Sequence, residues 1–122
     1  MKIIVLKFGG SSVGTIKRIK KVADIIVSYK KKGFSPIVVS SAMSGTTNDL
    51  IKKSNAISYN FSNSEYDVLV SSGEQISCSL IAGSLNAIGH KSRTWMGWQV
   101  PIFTEGAYSS SRITNISNKK IM

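Results

Sequence analysis

Lys7 closes a short apolar run and is followed at once by Gly9, Gly10, Ser11 and Ser12, with Gly14 just beyond. A cation, glycines whose backbone N–H groups can close on an anion, and hydroxyls that add donors make a phosphate cradle when a helix N-terminus follows. The order is not that of a Walker loop, because the lysine precedes the glycines, and the dinucleotide spacing G-x-G-x-x-G is absent. A second stretch repeats the plan: Val38-Val39 leads into Ser40-Ser41-Ala42-Met43-Ser44-Gly45-Thr46-Thr47, apolar residues and then small, hydroxyl-bearing ones. The third feature is Glu74 in Ser71-Ser72-Gly73-Glu74-Gln75, a lone carboxylate beside a glycine in an otherwise apolar and small-residue stretch. If that stretch packs inward, the carboxylate needs a cationic partner. Residue types alone leave each feature an ordinary alternative: a glycine turn that binds nothing, a capping turn, a surface glutamate.

For these features to act together, the elements that carry them must bring them to one place. The run Ile3-Ile4-Val5-Leu6 reads as a strand buried on both faces, ending at Gly9-Gly10. From Ile16 onward Ile16, Ile19, Val22, Ala23, Ile26 and Tyr29 share one helical face, with Thr15 as N-cap and Gly33 as stop. Ile37-Val38-Val39 forms a second strand entered through Pro36, and Thr46 or Thr47 caps a helix containing Leu50 and Ile51, with Asp49 near its positive end. Strand, helix, strand in this order implies a parallel crossover and an α/β class. Both turns then open at the same sheet edge, where open parallel sheets bind ligands.

Residues 54–64 read as a loop or a weak helix end, and Ser64 with Asp67 as a capping arrangement opening a helix over 65–88, with Gly73 inside it and Gly89 ending it. Short extended pieces follow at 93–96, 100–104 and 112–116. His90 reads as solvent-facing, Cys78 and Met96 as packing, and Trp95 and Trp98 as core or interface.

Composition narrows the class. A chain of 122 residues with 42% apolar content fits one ordinary domain with a real core. A single cysteine excludes an internal disulfide, and no Cys or His cluster has metal-ligand spacing. The apolar run before Lys7 is too short for a signal peptide or a membrane span, so a cytoplasmic protein without membrane association is expected. The net charge of +10 raises the question of a polyanion. Its distribution disfavours nucleic acid: Lys17, Arg18, Lys20, Lys21, Lys30, Lys31 and Lys32 decorate one helix with no interleaved aromatics to stack bases, and Lys greatly outnumbers Arg.

Taken together, Lys7-Phe8-Gly9-Gly10-Ser11-Ser12-Val13, Val39-Ser40-Ser41-Ala42-Met43-Ser44-Gly45-Thr46-Thr47-Asn48 and Ser72-Gly73-Glu74-Gln75 resemble the aspartokinases of the amino-acid kinase superfamily. The later Gly97-Trp98-Gln99-Val100-Pro101-Ile102-Phe103-Thr104 and Ser110-Ser111-Arg112-Ile113 resemble the same family. The resemblance implies an α/β fold, an αβα sandwich with a mainly parallel sheet like that of acetylglutamate kinase, of which residues 1–122 would be the N-terminal, amino-acid-substrate side. It implies transfer of the ATP γ-phosphoryl group to the side-chain carboxylate of L-aspartate, with ATP as co-substrate and Mg²⁺ as cofactor. Position by position, Lys7, Gly9, Gly10, Ser11 and Ser41 would hold the ATP phosphates, with Lys7 also stabilising charge during transfer. Thr47 would contact aspartate, and Glu74 would pair with its α-ammonium. No metal ligand is implied in this chain.

The family's Arg-Gly-Gly-Ser-Asp segment, its nucleotide-binding half and its ACT regulatory domains have no counterpart in the sequence. The chain alone is therefore expected to be an inactive fragment, with the missing C-terminal half, as a separate chain, a candidate partner. The competing reading is a non-catalytic basic fragment that assembles with a partner chain or binds nucleic acid.

Overall fold

The periodicities translate into seven elements in a computed structural model that describes residues 2–122. They are β1 (Lys2–Phe8), α1 (Ile16–Lys31), β2 (Phe34–Ser40), α2 (Thr46–Ile57), α3 (Asn63–Ala87), β3 (Ile102–Glu105) and β4 (Arg112–Ile116). β1 and β2 pair in parallel with a register running from Lys2 opposite Phe34 to Phe8 opposite Ser40. The crossover helix α1 starts where its chemistry says it should: the Thr15 side chain accepts a hydrogen bond from the Arg18 N–H at 3.2 Å. It stops at Gly33, whose φ of +85° suits a residue without a Cβ.

Val13, Ile19, Val22, Ala23, Ile26 and Val27 meet Ile81 and Leu85 of α3, and Leu6, Phe8, Val38 and Leu80 pack against this cluster. The inward face of α1 is thus centred one residue away from the sequence reading: Val27 joins it, and Ile16 is exposed. Because side chains alternate along a strand, putting Leu6 and Phe8 on the helices puts Ile3, Val5 and Lys7 on the other face of the sheet. That face is uncovered among the described residues: Val5 is 62% exposed and Val39 48%. The expectation that β1 is buried on both faces therefore fails in this chain, where the helices lie against one face of the pair.

Three boundaries also differ from the sequence reading. Gly45, not Thr46 or Thr47, occupies the N-cap position of α2, with φ +83° and no side-chain cap. The helix then runs on to Ile57, because Ser54 is buried and returns its hydroxyl to the Ile51 carbonyl at 2.8 Å, so it does not interrupt the helix. α3 opens at Asn63 with Ser62 at the N-cap, and Asp67 is used elsewhere: its two carboxylate oxygens accept the N–H and hydroxyl of Ser109, each at 2.8 Å.

The end of α3 follows expectation. Gly89 adopts φ +82°, Gly89 N–H bonds the Asn86 carbonyl and His90 N–H the Leu85 carbonyl, the paired bonds of a Schellman stop. This leaves His90 half-buried and not solvent-facing.

Beyond α3, residues 93–96 form no strand; the Arg93 guanidinium instead lies 4.1 Å from the centre of the Trp95 ring. Trp98 is 70% exposed and so takes no part in this chain's core. β3 and β4 pair antiparallel with a bulge between Phe103 and Thr104, and Ser109 at the tip of their connection anchors the hairpin to α3 through Asp67. No helix among the described residues is long and apolar enough to cross a membrane.

Two glycines of α3 yield a test of this packing. A Cβ on Gly73 would lie 2.9 Å from the Ala42 Cβ and 3.2 Å from the Thr46 Cγ2, whereas one on Gly83 would meet nothing within 4 Å. Gly83→Ala should stabilise the fold by about 0.5–1 kcal/mol through helix propensity. Gly73→Ala should destabilise it by about 1–3 kcal/mol, because overcrowding outweighs that gain. Urea denaturation of the two variants, read for opposite signs, checks the prediction.

Candidate functional site

The parallel ladder extends one step past the strands: the Ser41 N–H donates to the Phe8 carbonyl at 3.0 Å. There the chains part into two turns at one sheet edge, residues 9–15 after β1 and residues 41–45 after β2. The turns touch. A Cβ on Gly10 would come within 3.1 Å of the Ala42 carbonyl oxygen, and one on Gly14 within 3.2 Å of the Ser44 Cβ. Both glycines are accounted for by the close approach of the two turns, Gly10 to backbone and Gly14 to the Ser44 side chain. Gly9 differs: it is exposed, and a Cβ there would meet nothing, so the space above it is open.

α3 presses on the second turn from the other side. Gly73 lets the helix backbone reach Ala42 and Thr46, the Glu74 Oε1 accepts the Ala42 N–H at 3.3 Å, and the Ser77 hydroxyl donates to the Ser41 carbonyl at 2.7 Å. Ala42 and Ser77 are buried and Glu74 half-buried. All three stretches singled out in the sequence are therefore contiguous, joined through Ala42.

Of the individual candidates, the structure gathers Ser41, Glu74 and the start of α2, with Thr46 against Gly73 and Thr47 half-buried in the first turn. Ser11 is exposed, and its carbonyl accepts the Arg18 guanidinium at 2.9 Å. Lys7 is exposed and issues from the face of β1 opposite to Leu6 and Phe8, at the register position of Val39. The hydrogen bond that satisfies Glu74 goes to Ala42, not to Lys7. His90 lies elsewhere, lining a cavity of about 230 Å³ with Phe34, Ser35 and Pro36 at the opposite end of β2.

Charge at the edge is of two kinds. The N-termini of α1 and α2 both open there, and the first turn of α1 holds no acidic residue to offset its positive end. Asp49 in the first turn of α2 and Glu74 on α3 supply negative groups beside them. Among the described residues no group of three or more His, Cys, Asp or Glu could hold a metal ion. What the arrangement can do is receive an anion on the turns and a cation at Glu74, the two ends of a zwitterion next to a phosphate.

One residue here escaped the sequence reading, and a second gained a location. Ser77 was visible as a hydroxyl among the apolar Ile76, Leu80 and Ile81, where only a buried acceptor would justify it. Cys78 packs, as expected, yet packs at the site: burial pushes its thiol above the ordinary value, the Glu74 charge adds to this, and the Ser40 N–H and Ser77 hydroxyl oppose it.

The residues are similar in sequence to known proteins along almost their whole length. The model of the amino acid kinase family matches residues 2–121. The chain is 45% identical over 121 residues to an aspartokinase of Geobacillus stearothermophilus, covering 99% of this chain and 30% of that protein. It is 42% identical over 121 residues to an aspartokinase of Bacillus sp. (strain MGA3), covering 29% of that protein. The chain thus spans about 30% of the length of the curated relatives it matches. Among solved structures, it superposes on aspartate kinase from Synechocystis with a TM-score of 0.69 at 44% identity, over 71% of this chain and 15% of that one. It superposes on E. coli aspartokinase III in complex with aspartate and ADP with a TM-score of 0.76 at 21% identity, over 93% of this chain and 35% of that one; this likeness concerns the fold.

The thiol supplies a prediction of its own. Because Cys78's folded pKa is raised, its contribution to stability is present below the unfolded thiol's pKa and is lost as pH rises through the folded one. Alkylation by iodoacetamide should accordingly have a pH midpoint above that of the same chain unfolded in urea. Coincident midpoints would remove the thiol from the buried setting described.

Proposed function

The chain belongs to the amino acid kinase family, and from that premise we propose that it is the amino-acid-binding portion of an aspartate kinase. The reaction is transfer of the γ-phosphoryl group of ATP to the side-chain carboxylate of L-aspartate, giving ADP and an acyl phosphate. One observation carries the reading: a half-buried carboxylate, Glu74, is hydrogen-bonded at 3.3 Å to the second of two anion-receptive turns that open at one sheet edge. An amino acid brings an ammonium for the carboxylate and a side chain to be set beside a phosphate. The identity to aspartokinases supports aspartate as that amino acid.

In this proposal Glu74 pairs with the α-ammonium and Thr47 contacts aspartate. Ser41, Ser11 and the amides of Gly9 and Gly10 receive phosphate oxygens, with Gly9 on the open side where no side chain intrudes. Lys7, free at the end of its strand, swings over the edge to the transferring phosphoryl group and offsets the charge that develops there. The acceptor carboxylate has an ordinary pKa of about 3.9, so it is already an anion at neutral pH and attacks phosphorus without losing a proton. The bond that breaks is that between phosphorus and the β–γ bridging oxygen, whose electrons leave with ADP. No imidazole is required at the edge, and His90 sits at the other end of β2. Positioning and charge neutralisation suffice for such a step. Mg²⁺ would accompany the nucleotide phosphates, and none of these roles runs through the metal.

The chain spans about 30% of the length of its relatives, and in this proposal the nucleotide-binding wall of the cleft lies outside residues 1–122. Residues 1–122 are thus one part of an amino-acid kinase domain. The chain by itself should form no acyl phosphate from ATP and L-aspartate, because reacting groups must be held in near-contact geometry. A hydroxamate assay on the purified chain checks this, and turnover would overturn the two-part reading.

The substrate assignment is checked by thermal shift. L-Aspartate should raise the Tm of the chain where L-glutamate and glycine do not. Glu74→Ala should weaken binding by about 2–5 kcal/mol, the cost of stranding a desolvated ammonium. A Tm response to aspartate that survives this substitution would sink the role of Glu74.

A further inference from the structure

α3 carries several serines, and most of those with a hydrogen bond return their hydroxyl to their own helix: Ser71 to the Val68 carbonyl, Ser72 to Leu69 and Ser79 to Ile76. Ser77 departs from this habit. It is completely buried, and its hydroxyl lies 2.7 Å from the Ser41 carbonyl oxygen and 3.1 Å from the Glu74 carbonyl oxygen. A hydroxyl has one proton to give, and the shorter contact, across to another element, takes it. A serine buried in a helix that packs against a sheet sacrifices apolar contact, so its position asks for a partner, and the partner is the turn after β2.

The bond matters because of which group it holds. The Ser41 carbonyl and the Ala42 N–H belong to one planar peptide unit and point in opposite directions. Ser77 holds the carbonyl end and Glu74 holds the N–H end, so two residues three apart on one face of α3 grip a single peptide. Were that peptide to rotate, Glu74 would face a carbonyl oxygen where it now has a donor. Ser40 also donates to the Ser41 carbonyl, at 3.0 Å, but it is the adjacent residue and moves with the turn. Of the two hydroxyls on this carbonyl, only that of Ser77 ties it to α3.

We propose that Ser77 is a positioning residue: it locks the Ser41–Ala42 peptide in the orientation that gives Glu74 its backbone donor, and so aims the carboxylate at the ligand's ammonium. The second half of this statement rests on the function proposed above; the first half does not. One carboxylate oxygen is then committed to Ala42 and the other is left to the ligand, which sets where the ammonium sits relative to the Ser41 turn. Ser77 touches neither substrate and acts through its neighbours.

The test uses the 122-residue chain. Ser77→Ala should speed hydrogen exchange of the Ala42 amide about tenfold, the value of roughly one hydrogen bond. It should also shift the ¹³C signal of the Glu74 carboxyl, while amides of the β1–β2 ladder keep their rates. Ser40→Ala should leave the carboxyl signal in place. In a Glu74→Ala background the effect of Ser77→Ala on Ala42 exchange should largely disappear, because the peptide has already lost its other anchor. An unchanged Ala42 amide, a uniform rise in exchange over all of α3, or full additivity with Glu74→Ala would each reduce Ser77 to a packing residue and overturn the inference. L-Aspartate separates the two halves. If the unsubstituted chain binds it, Ser77→Ala should weaken the affinity about tenfold. Absence of any aspartate response with the exchange result intact would count against the proposed substrate and leave the peptide lock standing.

Discussion

The approach of α3 to Ala42 is the contact on which the rest of the strand-end architecture depends. It is a close contact made possible from both sides by residues that lack a side chain: Gly73 on the helix, which lies against the Ala42 Cβ, and Gly10 on the first turn, which lies against the Ala42 carbonyl. Close packing of this kind is unforgiving, since interiors have no spare volume to absorb a methyl group. It also explains why polar groups can be spent there. Once water is excluded around Ala42, the Ser41 carbonyl and the Ala42 N–H must find partners within the protein, and Ser77 and Glu74 meet that need.

Electrostatics at the same edge follows from topology more than from charged side chains. A parallel crossover delivers every helix N-terminus to the end where the strands stop, so two positive helix ends converge there without a cluster of lysines. The net charge of +10 resides largely on α1 and on the residues that follow α3. Two carboxylates stand among the helix ends, Asp49 in the first turn of α2 and Glu74 on α3, and the hydrogen bond of Glu74 to Ala42 keeps it at the turn instead of in bulk solvent.

Much of this was legible in the sequence because it was written in local rules. The cap at Thr15, the stops at Gly33 and Gly89, the two apolar strands and the crossover all rest on period, capping and positive φ, which act within a few residues. The parts that were not legible are tertiary. α2 continues through Ser54 because that side chain is buried, and Asp67 forgoes capping because Ser109, 42 residues on, claims both its oxygens. The adjacency of the three motifs could be anticipated from topology, whereas the use of Ala42 as their meeting point could not. Alternation along β1 fixes Lys7 on the face opposite to Leu6 and Phe8, yet sequence does not say on which side of the sheet α3 will lie.

The bare face of the β1–β2 pair, with Val5 and Val39 turned outward, also governs how the chain behaves in bulk. Two short strands leave both edges unpaired among the described residues and one side apolar, features that favour self-association. What keeps molecules apart is their shared positive charge, which acts only over the Debye length, about 10 Å at 0.1 M salt and about 3 Å at 1 M. Colloidal behaviour should then run opposite to that of a protein held in solution by hydration alone: dilute buffers keep the chain dispersed, and concentrated salt lets the valine faces find each other.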